Sequence, residues 1–310
     1  MPLSLAGIFP PVTTPFRPNG DLALDHLRAT LERMNTLPLA GYVLGGSNGE
    51  FTSLSVEERL AVTTLARDVT PTTRVLIGGS GMESTRGTIA LTKQIAAIGV
   101  DAVMVVTPGY FQARMSGPAL EAHYLAVADA SPVPVLLYSV PANTGVDLPQ
   151  DAVARLSAHP NILGLKDSGG DITKLGWMVG ATRPGFQILA GSGGFLLPAL
   201  AVGAVGAVAA LANIAGGEMA EIVRRFHAGD LADARARQWR LIELNTAITR
   251  RFGVAGLKAA QDLLGWYGGP PRAPLLPASA EERAVVQHVL IETGLLPGQA
   301  TGGAGGTVRG

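Results

Sequence analysis

"GYVLGGSNGEFTSLSVEERLAVTTLARDVTPTTRVLIGG", residues 41–79, begins and ends on short apolar runs and holds a segment of a different period between them. The runs GYVLGG and RVLIGG are continuous in hydrophobicity rather than alternating, as strands buried on both faces are. The middle, SLSVEERLAVTTLARDV, has helical spacing and a helix-start signal, Ser55 ahead of Glu57 and Glu58. A fully buried strand, an amphipathic helix and another such strand make a crossover unit with parallel strands.

The same kind of run recurs along the chain: GIFPPV, GYVLGG, RVLIGG, DAVMVV, PVLLY, NILGLK, FQILAG and AVGAVAA. Most are separated by helical segments such as LPQDAVARLSAHP. Eight strand-and-helix units predict a closed (β/α)8 TIM barrel. A doubly wound open sheet would need a G-x-G-x-x-G fingerprint after an early strand, and GGSNGEF lacks that spacing. Residues 216–292 read as helices, among them DLADARARQWRLIELNTAITRRF and VAGLKAAQDLLGWY. The expected organisation is a barrel over 1–215, a C-terminal helical extension over 216–298, and a flexible glycine-rich tail over 299–310.

Composition removes several function classes. Lys plus Arg equals Asp plus Glu, 24 each in 310 residues, so no basic surplus remains for nucleic acid or anionic lipid. With no cysteine there is no disulfide, thiolate nucleophile or sulfur-bound zinc. The histidines, His26, His123, His159, His227 and His288, lie too far apart in sequence to form a two-imidazole metal motif, and read as helix-surface residues. Residues 195–212 are 18 apolar residues in a row, but Pro198, Gly203 and Gly206 divide them into a short helix and a buried strand rather than a membrane span. The opening MPLSLAGIFPPVTTPF carries no basic segment and is broken by prolines, so no secretory signal is expected and the expected location is cytoplasmic.

In a TIM barrel the C-terminal ends of the strands form the active face. Ser47 and Asn48 follow GYVLGG, Tyr138 ends PVLLY, Lys166 ends NILGLK with Ser168 close behind, and Ser192 follows FQILAG. The lysine is notable because the chain has only three others, Lys93, Lys174 and Lys258. An amine at the end of a buried strand loses hydration, which disfavours its charged form. A neutral lysine attacks a ketone to give a Schiff base, and the iminium stabilises an enamine on the adjacent carbon. Such a site makes or breaks carbon–carbon bonds beside a 2-oxo acid with no metal and no cofactor, and a phenol such as Tyr138 shuttles the protons. Read singly, Lys166 serves equally as a rim lysine, Tyr138 as a cap on the core, and GSNGE as an ordinary glycine turn.

Together, GSNGE (46–50), YSVPANTG (138–145) and LKDSGGD (165–171) resemble the dihydrodipicolinate synthase and N-acetylneuraminate lyase family of class I aldolases. The resemblance runs from GIFPPVTTPF to about residue 275. Within the family, PPVTTPF, GSNGEF, YSVPANTG, KDSGGD, ITRRFG and WYGGPPRAPL are similar to the 4-hydroxy-2-oxoglutarate aldolase branch. The resemblance implies a TIM barrel, a homotetramer and a pyruvate-dependent reaction with Lys166 as the Schiff-base residue. It implies Tyr138 as proton relay with Ser47 as its hydroxyl partner, and Tyr110, in TPGYF, reaching in from a neighbouring subunit. Ser47 and Asn48 would bind the pyruvate carboxylate at the start of a helix, and Gly191 would let the backbone approach the substrate.

Departures bear on the second substrate. Dihydrodipicolinate synthases usually carry an arginine where this chain has Asn143, and that arginine holds the carboxylate of aspartate semialdehyde. Ser47 and Asn48 replace their threonine pair, and Gly109 stands where they have a tyrosine. Asn143 and Ser168 are left as contacts for glyoxylate. The expected reaction is cleavage of 4-hydroxy-2-oxoglutarate to pyruvate and glyoxylate. The alternatives are condensation of pyruvate with aspartate semialdehyde, a sugar-derived 2-oxo-acid aldolase, and a catalytically silent barrel that binds a 2-oxo acid. The loop GSGGF (191–195) contains no lysine or arginine and reads as a close-packed turn rather than a phosphate cradle.

Overall fold

A computed structural model describes residues 3–297. The expected tail over 299–310 lies outside the described residues. Each of the eight apolar runs contains a strand: β1 (Gly7–Phe9), β2 (Gly41–Leu44), β3 (Val75–Gly79), β4 (Ala102–Val106), β5 (Val135–Ser139), β6 (Ile162–Asp167), β7 (Gln187–Ala190) and β8 (Gly206–Val208). All pairings are parallel, in the order β1-β8-β7-β6-β5-β4-β3-β2. The ring closes between β1 and β2 through a parallel bridge of Pro11 with Val43 and the bonds Val12 N–H to Val43 O (2.9 Å) and Val43 N–H to Pro10 O (3.0 Å). Ala40 N–H also donates to Ile8 O (3.0 Å) across this seam, whereas Pro10 and Pro11 have no N–H to give to it.

The helices are α1 (Leu24–Met34), α2 (Val56–Val69), α3 (Thr85–Ala97), α4 (Gly117–Ala130), the single turn α5 (Pro141–Thr144), α6 (Gln150–Leu156), α7 (Ile172–Ala181), α8 (Leu196–Ala201) and α9 (Ala212–His227). The start of α2 is the capping box legible in the sequence. Ser55 Oγ accepts from Glu58 N–H (3.2 Å), and the Glu58 carboxylate accepts from Ser55 N–H (2.9 Å). Residue 215 falls inside α9, at a kink where Ala215 leaves helical geometry (φ −134°, ψ 34°). Beyond it lie α10 (Leu231–Thr246), a π-helical turn (Ala247–Arg251), α11 (Gly253–Leu263) and α12 (Ala280–Glu292).

Two apolar shells follow from strands buried on both faces. Phe9, Val43, Ile77, Met104, Leu163 and Leu189 help fill the barrel interior. Ile8, Leu44, Leu76, Val103, Leu137 and Leu165 face outward, in the larger shell with residues of the helices. The apolar stretch at 195–212 is divided between α8, β8 and the start of α9, and no helix among the described residues is long and apolar enough to cross a membrane.

Candidate active site

Tyr138 and Lys166 are cross-strand partners at the C-terminal ends of β5 and β6. Their shared direction depends on one extra residue. Val135 pairs with Ile162, but Leu136 pairs with Gly164, so Leu163 is passed over in a β-bulge. Side chains alternate faces with a period of two, and a one-residue slip reverses every side chain beyond it. Leu163 faces the interior and Leu165 faces the helices, and past that change of phase Lys166 points inward beside Tyr138. A bulge-free ladder would set Leu165 opposite Tyr138 and turn Lys166 out of the barrel. Glycine at 164 is required by this geometry, because a Cβ there would lie 2.0 Å from the Gln187 carbonyl oxygen of β7.

Lys166 and Tyr138 are both buried, 2% and 3% exposed, and the Lys166 Nζ lies 3.9 Å from the centre of the Tyr138 ring. The Tyr138 hydroxyl is 3.2 Å from Ser47 Oγ. An amine, a phenol and a hydroxyl thus form one contact chain across the mouth, from β6 through β5 to the loop after β2. Beside Tyr138 is a small cavity lined in part by Gly45, Gly46, Met104 and Arg59. Arg59 is buried, clamps the end of β3 by donating to the carbonyls of Gly79 (3.0 Å) and Gly81 (3.2 Å), and is lowered by burial to a pKa of about 10.

Ser47 and Asn48 sit in a single 3-10 turn (Ser47–Gly49) rather than at the start of an α-helix, since α2 begins only at Val56. One turn has little macrodipole. Its anion-binding capacity is local: the N–H groups of Ser47 and Asn48 have no acceptor among the described residues.

Ser168 and Gly191 meet where the ends of β6 and β7 converge. Gly191 N–H donates to Asp167 O (2.7 Å), and a Cβ on Gly191 would fall 2.0 Å from Ser168 Oγ. Asn143 is exposed on α5, and Tyr110 is 79% exposed on the loop after β4, packed edge-on against Phe111. Neither side chain hydrogen-bonds to Lys166, Tyr138 or Ser47. The Tyr110 loop is held by Glu83, whose carboxylate accepts from the N–H groups of Gly109 (3.1 Å) and Tyr110 (2.9 Å).

Two ionic groups around the site went unread in the sequence. Behind Lys166, Asp167 is buried on the helix side, its Oδ1 accepting from Gly169 N–H (2.9 Å) and its Oδ2 lying 3.8 Å from Lys174. Lys174 also grips Asp147 (2.6 Å), which accepts from Ser139 Oγ (3.1 Å), so both ends of the loop bearing Asn143 are tied beside β6. Burial pushes the Asp167 carboxyl up, with the nearby Lys174 pulling the other way. The second group joins Glu50, next to the Ser47 turn, to Lys258 of α11 at 2.5 Å, each side chain 1% exposed. The scarcity of lysine was the available signal: Lys166, Lys174 and Lys258 all do internal work, and Lys258 lies in an otherwise apolar helical stretch.

A parallel TIM barrel with a buried lysine and tyrosine side by side at the strand ends is the architecture of a class I aldolase. The dihydrodipicolinate synthetase family matches residues 4–293. Over 278 residues the chain is 36% identical to a 4-hydroxy-tetrahydrodipicolinate synthase of Exiguobacterium, covering 90% of this chain and 94% of that one. It superposes with a TM-score of 0.89 on a dihydrodipicolinate synthase of Bacillus anthracis, at 32% identity, covering 93% of this chain and 98% of that chain. The chloride-inhibited dihydrodipicolinate synthase of Acinetobacter baumannii, in complex with pyruvate, gives a TM-score of 0.90 at 29% identity, covering 94% and 100%. The chain belongs to the dihydrodipicolinate synthetase family, and is a pyruvate-dependent class I aldolase.

Proposed function

We propose that this enzyme cleaves 4-hydroxy-2-oxoglutarate to pyruvate and glyoxylate through a Schiff base at Lys166. The observation that carries the reading is the contact chain Lys166–Tyr138–Ser47. The Lys166 amine adds to C2 of the substrate, and Tyr138 gives its proton to the departing hydroxyl, so that loss of water leaves an iminium on Lys166 and a phenolate at Tyr138. The iminium draws electrons from the neighbouring carbons. Tyr138 takes the proton of the 4-hydroxyl as the C3–C4 bond breaks, which releases glyoxylate and leaves the enamine of pyruvate on Lys166. That proton then returns to C3, and water hydrolyses the iminium to free pyruvate and the lysine. Ser47 orients the phenol and relays protons, and the unpaired N–H groups of Ser47 and Asn48 suit the C1 carboxylate.

Asn143 and Ser168 are assigned to the glyoxylate end. An amide and a hydroxyl supply hydrogen bonds to the glyoxylate carboxylate, and the arginine that holds the aspartate-semialdehyde carboxylate in dihydrodipicolinate synthases is replaced here by Asn143. The assembly proposed is a homotetramer in the cytoplasm, with Tyr110 of one subunit completing the relay of the next. Its exposed position beside Phe111 is consistent with that role.

The competing reading is condensation of pyruvate with aspartate semialdehyde, favoured by the name of the Exiguobacterium relative. Pyruvate release from 4-hydroxy-2-oxoglutarate, coupled to lactate dehydrogenase, is measured beside that condensation and a panel of sugar-derived 2-oxo acids. The expected result is release that disappears in Lys166→Ala, with a kcat/KM above every competitor. A higher value for the condensation overturns the substrate assignment and leaves the Schiff base standing.

A further inference from the structure

Glu50 is the only non-glycine residue among those described with a left-handed backbone (φ 52°). It closes the turn that carries Ser47 and Asn48, and its N–H donates to Ser47 O (3.0 Å). A left-handed conformation crowds the Cβ of a non-glycine residue against its own backbone and persists where the surroundings enforce it. Here the enforcement comes from outside the barrel. One carboxylate oxygen meets Lys258 Nζ of α11 at 2.5 Å, and the other accepts from Arg272 N–H at 2.8 Å, in the segment between α11 and α12. Lys258 also donates to Pro270 O (3.0 Å), and both Lys258 and Arg272 lie over the Phe16 ring, at 4.5 and 4.4 Å.

Other bonds draw the same parts together. Thr14 Oγ1 donates to Gly49 O (2.8 Å), inside the turn, and Thr13 Oγ1 donates to Gln261 Oε1 of α11 (3.0 Å). The Arg272 guanidinium spans Gly20 O, Ser53 O and the Glu58 carboxylate of the α2 capping box. The loops after β1 and β2 are therefore seated on α11 and on the segment that follows it. Gly256, Leu257, Lys258, Ala259, Ala260 and Gln261 are buried in succession, an all-round burial that an ordinary surface helix lacks.

We infer that Glu50 is a positioning residue for pyruvate. Held by Lys258, it fixes the Ser47–Asn48 turn with its two free N–H groups aimed at the 2-oxo acid carboxylate, so that affinity for the keto substrate is set partly by the C-terminal extension. This rests on the Schiff-base reading above. A bare turn of three residues gains anion affinity only when its donors are pre-aligned, because ordering them on binding subtracts from the affinity. The ion pair supplies that alignment. Its residues touch no reacting atom, so their loss acts on carboxylate binding rather than on the chemistry.

The test is borohydride trapping of pyruvate on the full chain as a function of pyruvate concentration, with kcat at saturation measured in parallel. The variants are Glu50→Gln, which keeps one acceptor oxygen for either Lys258 or the Arg272 N–H and sets an amide NH2 against the other, and the double variant Glu50→Gln/Lys258→Met, which removes both buried charges at similar volume. The expected result is a rise in half-saturating pyruvate of about tenfold or more in the double variant and a smaller rise in Glu50→Gln, with kcat within about threefold of wild type. A purely structural role would lower the melting temperature or the fraction of active protein and leave half-saturation unmoved. Half-saturation within twofold of wild type in the folded double variant overturns the inference. If that variant does not fold, Glu50→Gln alone decides by the same criterion, a rise of more than about twofold supporting it and a smaller one overturning it. Wild-type protein that traps no pyruvate would remove the Schiff-base reading and this inference with it, whereas trapping with unmoved half-saturation removes the inference alone.

Discussion

Lys166 and Tyr138 divide the proposed reaction between a nucleophile and a proton carrier, and the two roles make different kinetic demands. Tyr138→Phe leaves the amine, the turn at Ser47 and the ring against Lys166 in place and deletes only the hydroxyl. Turnover should fall about 100- to 1,000-fold while half-saturating pyruvate in the trapping assay moves by less than about threefold. Equal losses in both would make the phenol a positioning group. The neighbouring residue tests the electrostatics of the site. Burial raises the Asp167 carboxyl above its unfolded value of 3.8, so the folded state retains a proton that the unfolded chain has released. Stability from this group is then fully present below 3.8 and is lost as pH rises through the higher folded value, which makes the buried carboxylate a cost at neutral pH. Asp167→Asn keeps the acceptor for Gly169 and leaves Lys174 its bond to Asp147. Its melting temperature should therefore exceed that of wild type at pH 7, with a smaller difference at pH 4. A loss at pH 7 would mean that the attraction of Lys174 for Asp167 outweighs the burial.

At the scale of the strand, the element that decides the site is the one the sequence conceals. Eight apolar runs announce eight strands because a parallel barrel buries both faces of each one, and for the same reason the runs carry no period-two signal to say which residue points inward. Lys166 could be chosen from its chemistry and its place at a strand end. Its direction was not legible, since that depends on the bulge at Leu163–Gly164 and on the close approach of Gln187. The turn at Ser47 was legible as glycine-rich but not as a single turn, because its length is set by Glu50 and by partners on α11 far along the chain. Glycine substitutions separate the two kinds of constraint. Gly164→Ala drives a Cβ against the β7 backbone and should destabilise by about 1–3 kcal/mol or more and slow pyruvate trapping at least tenfold. Gly180→Ala, in α7 with nothing within 4 Å of the new methyl, should stabilise by up to about 1 kcal/mol and leave trapping unchanged. Denaturant melts and trapping rates on the two variants check both signs, and an unaffected trapping rate in Gly164→Ala would deny the bulge its part in orienting Lys166.

Over the whole molecule, the residue with the clearest claim to act between subunits is Tyr110. Its own chain leaves it exposed beside Phe111 while Glu83 holds the backbone beneath it, so the aromatic pair is presented outward on a fixed loop. A closed homo-oligomer repeats such a contact at every equivalent site, which makes the proposed composite site separable by mixing. Tyr110→Phe should reduce kcat strongly, and Lys166→Ala should abolish trapping. Subunit exchange between the two pairs an intact lysine from one chain with an intact tyrosine from the other. With random pairing in equal mixture, half the dimeric units are mixed and one of their two sites is whole, so activity should return to about a quarter of wild type. The measurement is pyruvate release after the two variants are mixed, dissociated and reassembled, with size-exclusion chromatography reporting the assembly. Recovery near that level would make Tyr110 a residue of the neighbouring site, and no recovery from a mixture shown to have exchanged would confine the relay to Tyr138 and Ser47 of a single chain.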